Sequence, residues 1–337
     1  MRSSELLNLI KAFHKIKRPL LIEGPPGGGK TQVCGQAAKE LGVAFIHKHA
    51  PTMQPEDFGL PSVKGERLEI VIDGAYPLEG DNSPDHGILL IDELPQADNS
   101  IQKTLANLIQ EREIYGRKLK SGWQIVATGN RQKDRAGANR ILSQLRGRVT
   151  TVELETHLDD WLNWGAQLGE VGVSKLRPEV ASFIRFKPNL LHDFDPNRDY
   201  NPQPRGWVEG VSDVIDLVPK HQEFEVFKGV VGEGAAAEFV AFLNIYRELP
   251  DPDKVLADPK SAVIPAKLDI LYALTGAIAY RANSDNMDNV MDFVNRLPME
   301  FGTITVLAAI RKPGGGELQR NRKLMQWIAK NNVAFGV

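Results

Sequence analysis

Short apolar runs alternate with helix-like patterns over the first 155 residues. The periodic apolar positions predict helices at Met1–Lys17, Gly29–Leu41, Ser100–Arg112 and Arg140–Leu145. The apolar runs between them predict strands at Leu20–Glu23, Ala44–Lys48, Ile88–Ile91, Gln124–Thr128 and Thr150–Leu154. Such alternation favours a largely parallel sheet covered by helices on both faces. Residues 1–155 are therefore predicted to form an α/β domain.

The alternation is interrupted between the second and third predicted strands, over about residues 50–87. Within this stretch, residues 57–61 resemble a turn, Arg67–Ile72 alternates like a hairpin strand and Asp81–Gly87 is polar. Connections between core strands are usually much shorter. We therefore expect an insertion with a function of its own.

Strand patterns end after residue 155, and helical patterns follow. Helices are predicted at His157–Leu168, Pro178–Phe186, Arg205–Val218, Glu223–Arg247, Ala266–Arg281, Met287–Leu297 and Arg320–Asn331. Leu249–Pro265 carries four prolines, which indicates a boundary within the helical part. The expected domains are thus residues 1–155, 156–250 and 251–337.

The charge and cysteine content exclude some classes of protein. The 337 residues include 41 Lys and Arg against 43 Asp and Glu, so no global charge favours a nucleic-acid or membrane partner. Cys34 is the single cysteine, which excludes an internal disulfide framework and fits a buried small apolar residue in a reducing compartment. No apolar run reaches the ~18 residues of a membrane span. These features favour a cytoplasmic protein.

A glycine-rich segment lies between the first strand and the next helix, and it fits the phosphate-binding pattern G-x-x-x-x-G-K-[ST]. Its members are Gly24, Pro25, Pro26, Gly27, Gly28, Gly29, Lys30 and Thr31. Backbone N–H groups in such a turn close on phosphate oxygens, and the helix N-terminus points at the same charge. Lys30 is expected to reach the β- and γ-phosphates, and Thr31 to ligate Mg²⁺.

Two further strands end in polar residues suited to nucleotide hydrolysis. Ile88–Ile91 is followed by Asp92, a candidate Mg²⁺ ligand, and by Glu93, a candidate base that polarises the attacking water. The strand Gln124–Thr128 leads into Asn130, whose amide could orient that water. A base beside the metal ligand favours hydrolysis over transfer to a small molecule. We therefore predict a nucleoside-triphosphate hydrolase that uses Mg²⁺.

The order and spacing of these three motifs resemble AAA+ ATPases. The segment Met53–Gly59 and the inserted hairpin near Leu68–Ile72 resemble the MoxR branch in particular, which is related to dynein and midasin. The resemblance implies a P-loop NTPase fold, a three-layer αβα sandwich with a parallel sheet. It also implies an all-α lid after the sandwich, and a C-terminal helical region completes the expected chain.

The resemblance also assigns roles to three arginines. Arg148, or Arg146 as the second candidate, lies where the family carries an arginine finger that reaches the nucleotide of a neighbouring subunit. Arg205, in the segment Gln203–Trp207, resembles the sensor-2 residue that opens a lid helix and contacts the γ-phosphate of its own subunit. A guanidinium stays charged and can neutralise charge on the transferred phosphoryl group.

Three functions remain open. MoxR-like ATPases generally form hexameric rings and often act with a von Willebrand A-domain partner, which implies remodelling of a protein client. Candidate client contacts in the insertion are Phe58, Ile70, Ile72 and Tyr76, unless most of them pack the hairpin onto the core instead. The alternative is a DNA-acting motor or helicase loader, for which Lys64, Arg67, Arg117, Lys118 and Lys120 could follow phosphates. A P-loop enzyme acting on small molecules is the third possibility.

The histidines show no spacing typical of a metal site. His47 and His49 alternate along or just beyond the second strand and face the same side, but a third ligand is missing. The expected metal is therefore the Mg²⁺ that accompanies ATP.

Overall fold

A computed structural model describes residues 1–131, 147–167, 175–247, 249, 251–312 and 314–331. The chain divides into two compact units. The first unit comprises Met1–His157 and Phe194–Pro196, and the second comprises Leu158–Asp193 and Asn197–Val337. The first holds the described strands and the second is helical. The finer division of the helical part at residue 250 stays a prediction.

The first unit is built on a five-stranded parallel sheet. In chain order the strands of this unit are β1 (Leu20–Gly24), β2 (Ala44–His49), β3 (Leu60–Lys64), β4 (Arg67–Val71), β5 (His86–Asp92), β6 (Glu113–Ile114), β7 (Arg117–Lys118), β8 (Gly122–Asn130) and β9 (Thr150–Glu153). The sheet order is β2-β5-β8-β1-β9, and each neighbouring pair is parallel. The five predicted strands are thereby confirmed.

Helices cover both faces of this sheet. The α-helices among the described residues of the unit are α1 (Ser3–Ile16), α2 (Lys30–Leu41) and α3 (Asn99–Glu111). Along β5, Ile88 and Leu90 pack into one apolar core with α1 and α2, whereas Leu89 and Ile91 pack into the other core with α3. This alternation is why the strand is apolar at successive positions. The predicted αβα sandwich is confirmed, and Cys34 is buried as expected. The predicted helix Arg140–Leu145 lies outside the described residues.

The insertion contains a small antiparallel hairpin, β3–β4, all of whose strand residues are exposed. Its register pairs Pro61 with Ile70 and Val63 with Leu68. Directly paired residues share a face of a sheet, so these four side chains form one apolar surface, here called the hairpin apolar face. Val63 is 75% exposed and Leu68 is 69% exposed.

Two of the expected client contacts are wrong. Phe58 and Tyr76 are buried, and their rings stack at a centroid distance of 6.1 Å within the core that contains α3. Ile72 is half-buried and packs against the same core, whereas Ile70 is exposed. The two aromatic residues anchor the insertion to the sheet because their large apolar rings gain more from burial than from exposure.

The second unit consists of helices. They are α4 (Leu158–Gly165), α5 (Pro178–Phe186), α6 (Glu223–Val231), α7 (Glu233–Arg247), α8 (Pro252–Ala257), α9 (Leu268–Arg281), α10 (Met287–Val294), α11 (Met299–Arg311) and α12 (Arg322–Asn331). A π-helix, Gly206–Ser212, lies where Arg205–Val218 was predicted as an α-helix.

Other helical predictions also differ from the structure. The single helix expected over Glu223–Arg247 is wrong, because Gly232 adopts φ 84° and separates α6 from α7. The helix α8 lies within the stretch expected to be a boundary, and α11 was not predicted at all. Two apolar clusters fill this unit, and α9 supplies Ala273 to one and Leu274 to the other. In the described parts of the chain, no helix is long and apolar enough to cross a membrane.

Candidate nucleotide site

The phosphate loop connects β1 to the N-terminus of α2. Gly27 and Gly29 adopt φ 68° and 88°, a left-handed conformation that favours glycine. A Cβ at Gly24 would lie 2.9 Å from the Leu154 carbonyl oxygen, so a side chain there would force the backbones apart. The pattern residues thus adopt a strand–turn–helix geometry in which the start of α2 can receive an anion.

Lys30 is buried beneath this loop and connects it to the end of β8. Its ammonium group donates to the carbonyl oxygens of Gly24 and Pro25, at 3.0 and 2.9 Å. It also donates to Oδ1 of Asn130 at 2.9 Å. Parallel pairing of β1 with β8 explains this contact, because Gly24 and Asn130 are register partners at the same sheet edge. Residues a hundred positions apart are thereby joined.

Asp92 ends the neighbouring strand β5 and accepts hydrogen bonds from three elements. The Thr31 hydroxyl donates to Oδ2 at 2.8 Å, and the Thr128 hydroxyl donates to Oδ1. The His47 ring lies 2.9 Å from Oδ2. Burial raises the pKa of Asp92, but hydrogen bonds from Thr128 and Thr31, together with His47, outweigh burial and lower it below the ordinary value. The group is therefore a carboxylate at neutral pH.

The donor set at Asp92 and Thr31 fits a hard divalent cation. The Asp92 carboxylate and the Thr31 hydroxyl are hydrogen-bonded to each other, so one cation could contact both oxygens. Proteins usually hold Mg²⁺ through one or two carboxylates together with substrate phosphates. Among the residues that the structure describes, no group of three or more His, Cys, Asp or Glu side chains could hold a metal. Binding of Mg²⁺ at these two residues would consequently depend on phosphate oxygens.

Glu93 follows Asp92 in an unusual backbone conformation. Its φ is 57°, in the left-handed region that non-glycine residues rarely adopt and that is often found at functional sites. Its N–H donates to the Thr128 hydroxyl at 3.1 Å, which fixes the turn. The carboxylate is partly exposed and lies 3.2 Å from Nε2 of His49. Glu93 is thus positioned by contacts with β2 and β8, while its carboxylate remains accessible to solvent.

The sequence did not indicate the contacts that His47, His49 and Thr128 make with the acidic pair. The two histidines extend from β2 towards Asp92 and Glu93, because β2 pairs with β5 and His49 is the register partner of Asp92. Their alternation on one face was visible in the sequence. The strand order, which decides what they face, was not.

The structure brings five predicted residues together: Lys30, Thr31, Asp92, Glu93 and Asn130. We call this cluster the nucleotide edge. Arg148 is exposed in the turn before β9, and Arg205 is exposed at the start of the π-helix in the second unit. Arg146 lies outside the described residues.

Part of the chain matches a known protein family. Residues 19–149 match the family model of the AAA domain of the dynein-related subfamily. Two solved structures are similar at low identity. RuvB of Thermotoga maritima, a Holliday junction branch migration motor, is 18% identical with a TM-score of 0.40, covering 85% of this chain and 83% of its own. NtrX of Brucella abortus, solved in complex with ADP, is 15% identical with a TM-score of 0.40, covering 98% of this chain and 68% of its own. Among curated proteins none matches.

The matched region spans the phosphate loop, the acidic pair and Asn130. Residues 19–149 are therefore similar to an AAA domain of the dynein-related subfamily, and the chain is an ATP hydrolase.

Proposed function

We propose that this chain is a ring-forming ATPase of the MoxR type, which uses ATP hydrolysis to remodel a protein client. The observation that carries the proposal is the hairpin apolar face, an exposed apolar surface within the same compact unit as the nucleotide edge. An isolated exposed hairpin gains little stability from its apolar side chains, and apolar surface left in water indicates an interaction site.

In this proposal each residue of the nucleotide edge has its own role in ATP hydrolysis. The loop amides and Lys30 would bind the phosphates of ATP, and Thr31 and Asp92 would hold Mg²⁺. When bound, Mg²⁺ neutralises charge on the phosphate oxygens. Glu93 accepts a proton from the attacking water, and Asn130 orients that water near the γ-phosphate. The bond between Lys30 and Asn130 has to open or rearrange when the phosphates arrive, because Lys30 then binds the phosphates and Asn130 binds the attacking water.

The arginines supply charge that the nucleotide edge lacks. Arg148 acts on the nucleotide of the adjacent subunit, with Arg146 as the alternative, and Arg205 acts on the nucleotide of its own subunit. Exposure of Arg148 and Arg205 supports contacts beyond the local fold. A finger supplied by a neighbour makes hydrolysis depend on assembly and contributes about 10³–10⁵ in rate. By resemblance, the ring is a hexamer, and a von Willebrand A-domain protein is the partner.

Mixed rings test the trans arginine. Arg148→Ala and Glu93→Gln subunits should each be inactive alone, whereas their mixture should regain part of the ATPase activity, since some interfaces then combine an intact base with an intact finger. If every mixing ratio is as inactive as the single variants, Arg148 does not act in trans.

A DNA-acting motor is the weaker reading of the same structure. Four of the five basic residues considered for phosphate contacts have carboxylate partners within the chain. Arg117 pairs with Asp81 at 2.9 Å, Lys120 with Asp85 at 3.1 Å, and both Lys64–Glu69 and Lys118–Glu113 are separated by 3.6 Å. Their charge is partly neutralised, which weakens an electrostatic track for a nucleic-acid backbone.

The ATPase rate distinguishes the two functions. We expect a permanently unfolded protein, such as reduced and alkylated α-lactalbumin, to stimulate hydrolysis at low salt, since it presents apolar segments to the hairpin. Single-stranded and duplex DNA serve as the competing activators. Strong stimulation by DNA that disappears as salt is added would contradict the protein-client function.

A further inference from the structure

The helical unit contains a cavity of about 60 Å³ that has no part in the proposed ATPase cycle. It lies among α4, α5, α9 and α11, and most of its wall is apolar. Four polar side chains line it: Ser182, Arg185, Tyr280 and Lys312. No carboxylate belongs to the described residues that line it. The cavity therefore combines apolar walls with positive charge.

Arg185 is the main source of that charge. Its guanidinium forms neither a hydrogen bond nor an ion pair with the described residues. Burial lowers the pKa of Arg185 to about 10, and the nearby Arg311 acts in the same direction, whereas Asp159 opposes them. Asp159 is engaged with Arg311 at 3.7 Å, so it does not serve Arg185 alone. A partly desolvated cation without a partner is costly, and a bound anion would remove that cost.

Ser182 provides a second polar group without a partner. It is only 1% exposed, and its hydroxyl has no hydrogen-bond partner among the described residues. A Cβ added to Gly276 would lie 1.8 Å from this hydroxyl oxygen. Only glycine at position 276 therefore leaves room for the Ser182 hydroxyl. Buried hydroxyl groups are nearly always hydrogen-bonded in folded proteins, which indicates a missing partner.

Lys312 completes the polar lining. Its ammonium group donates to the carbonyl oxygens of Tyr280 and Ala282 near the C-terminal end of α9. Burial lowers the pKa of Lys312. Since an ammonium group carries three N–H donors, one remains for another acceptor.

We propose that this cavity binds a small organic carboxylate. The Arg185 guanidinium offers a planar fork that matches a carboxylate, and Ser182 and Lys312 add donors of the kind that its oxygens accept. The apolar remainder of the ligand packs against Leu162 and Leu176. A cavity of 60 Å³ has room for about four to six water molecules. Since a water molecule is about the size of one non-hydrogen atom with its hydrogens, this volume favours an acid with about four to six non-hydrogen atoms. This site is independent of the proposed function.

Calorimetric titration with propionate tests the proposal. The protein is the full chain carrying Lys30→Ala, which weakens capture of anions at the phosphate loop, and propionamide is the uncharged control. We expect saturable binding of one propionate per chain and none of propionamide. Arg185→Gln should weaken binding about tenfold or more, and Ser182→Ala about two- to tenfold. Arg320→Gln, which changes an exposed cation of the same unit, should leave binding unchanged.

Three results would overturn the proposal. They are equal binding of propionamide, binding that neither Arg185→Gln nor Ser182→Ala weakens, and tighter binding of inorganic phosphate than of propionate at the same site. If Arg185→Gln does not fold, as judged by circular dichroism, Ser182→Ala decides the outcome. In that case, propionate should raise the Tm of the parent chain more than that of Ser182→Ala, and equal shifts would contradict the site.

Discussion

The nucleotide edge and the hairpin apolar face belong to one compact unit, yet they differ in which side chains are buried and which are exposed. At the nucleotide edge, buried or partly buried polar groups bond to one another: Lys30 to Asn130, and Thr31 to Asp92. On the hairpin, apolar side chains such as Val63 and Leu68 lie in water. The first arrangement holds reacting groups ready within a single chain. Under the proposed function, the second arrangement offers surface to a client, so that chemistry and recognition would be separable.

The largest effect is expected at the nucleotide edge. Glu93→Gln should reduce ATP hydrolysis by about 10²–10⁴, because a general base typically contributes that much. Nucleotide binding should persist, since Lys30, Thr31 and Asp92 keep their contacts. The measurement pairs steady-state ATPase rates with titration of a fluorescent ATP analogue. A loss of less than tenfold would remove Glu93 from the proposed role.

The free energy of unfolding should distinguish the buried apolar residues of the insertion from the exposed ones. Phe58→Ala should lower the free energy of unfolding by about 3–5 kcal/mol, because the ring is fully buried and stacked on Tyr76. Leu68→Ala, on the exposed hairpin, is the control and should change it by less than about 0.5 kcal/mol. Urea unfolding followed by circular dichroism measures both. Equal losses would show that the hairpin packs onto the unit in solution.

His49 is expected to have an intermediate effect as a positioning residue. Its ring lies 3.2 Å from the Glu93 carboxylate, and loss of one hydrogen bond corresponds to about two- to tenfold in rate. His49→Ala should therefore reduce kcat by that factor, and His49→Gln should restore part of it because the amide can still donate. KM for ATP should be unchanged. If glutamine gives no rescue, the ring does not act through this hydrogen bond.

The smallest effect is expected on the hairpin when no client is present. Val63→Ser together with Leu68→Ser should leave the basal ATPase rate unchanged and the free energy of unfolding within about 0.5 kcal/mol, because both positions are exposed. A fall in basal ATPase activity of more than a few-fold would link the hairpin to the nucleotide edge and break the separation described above.

Much of the nucleotide edge could be predicted because it depends on local pattern and on one rule of topology. The run Ile88–Ile91 indicates a strand buried on both faces, and parallel strands bring their carboxyl ends to one edge. Gly24, Asp92 and Asn130 are then expected at the same edge of the sheet. The contacts of His47 and His49 could not be predicted in this way, since they require knowing that β2 is the neighbour of β5.

The missed helix α11 and the wrong client contacts in the insertion also result from tertiary packing that the sequence pattern does not show. The helix α11 contains the run Thr303-Ile304-Thr305-Val306, which is typical of strands, and most of its surface is covered, so no amphipathic period is visible. In the insertion, composition alone does not separate aromatic side chains that anchor the segment from aliphatic ones that stay exposed. Phe58 and Ile70 have similar hydrophobicity, and only tertiary packing distinguishes them.

The ATPase rate with an unfolded protein, measured on matched surface variants, tests the central claim most directly. Reduced and alkylated α-lactalbumin should stimulate the wild type and Val263→Ser, which changes an 80% exposed valine in the helical unit. It should fail to stimulate Val63→Ser with Leu68→Ser, although that variant keeps its basal rate. Equal stimulation of all three proteins would contradict the account, because the hairpin apolar face would then have no part in recognising the client.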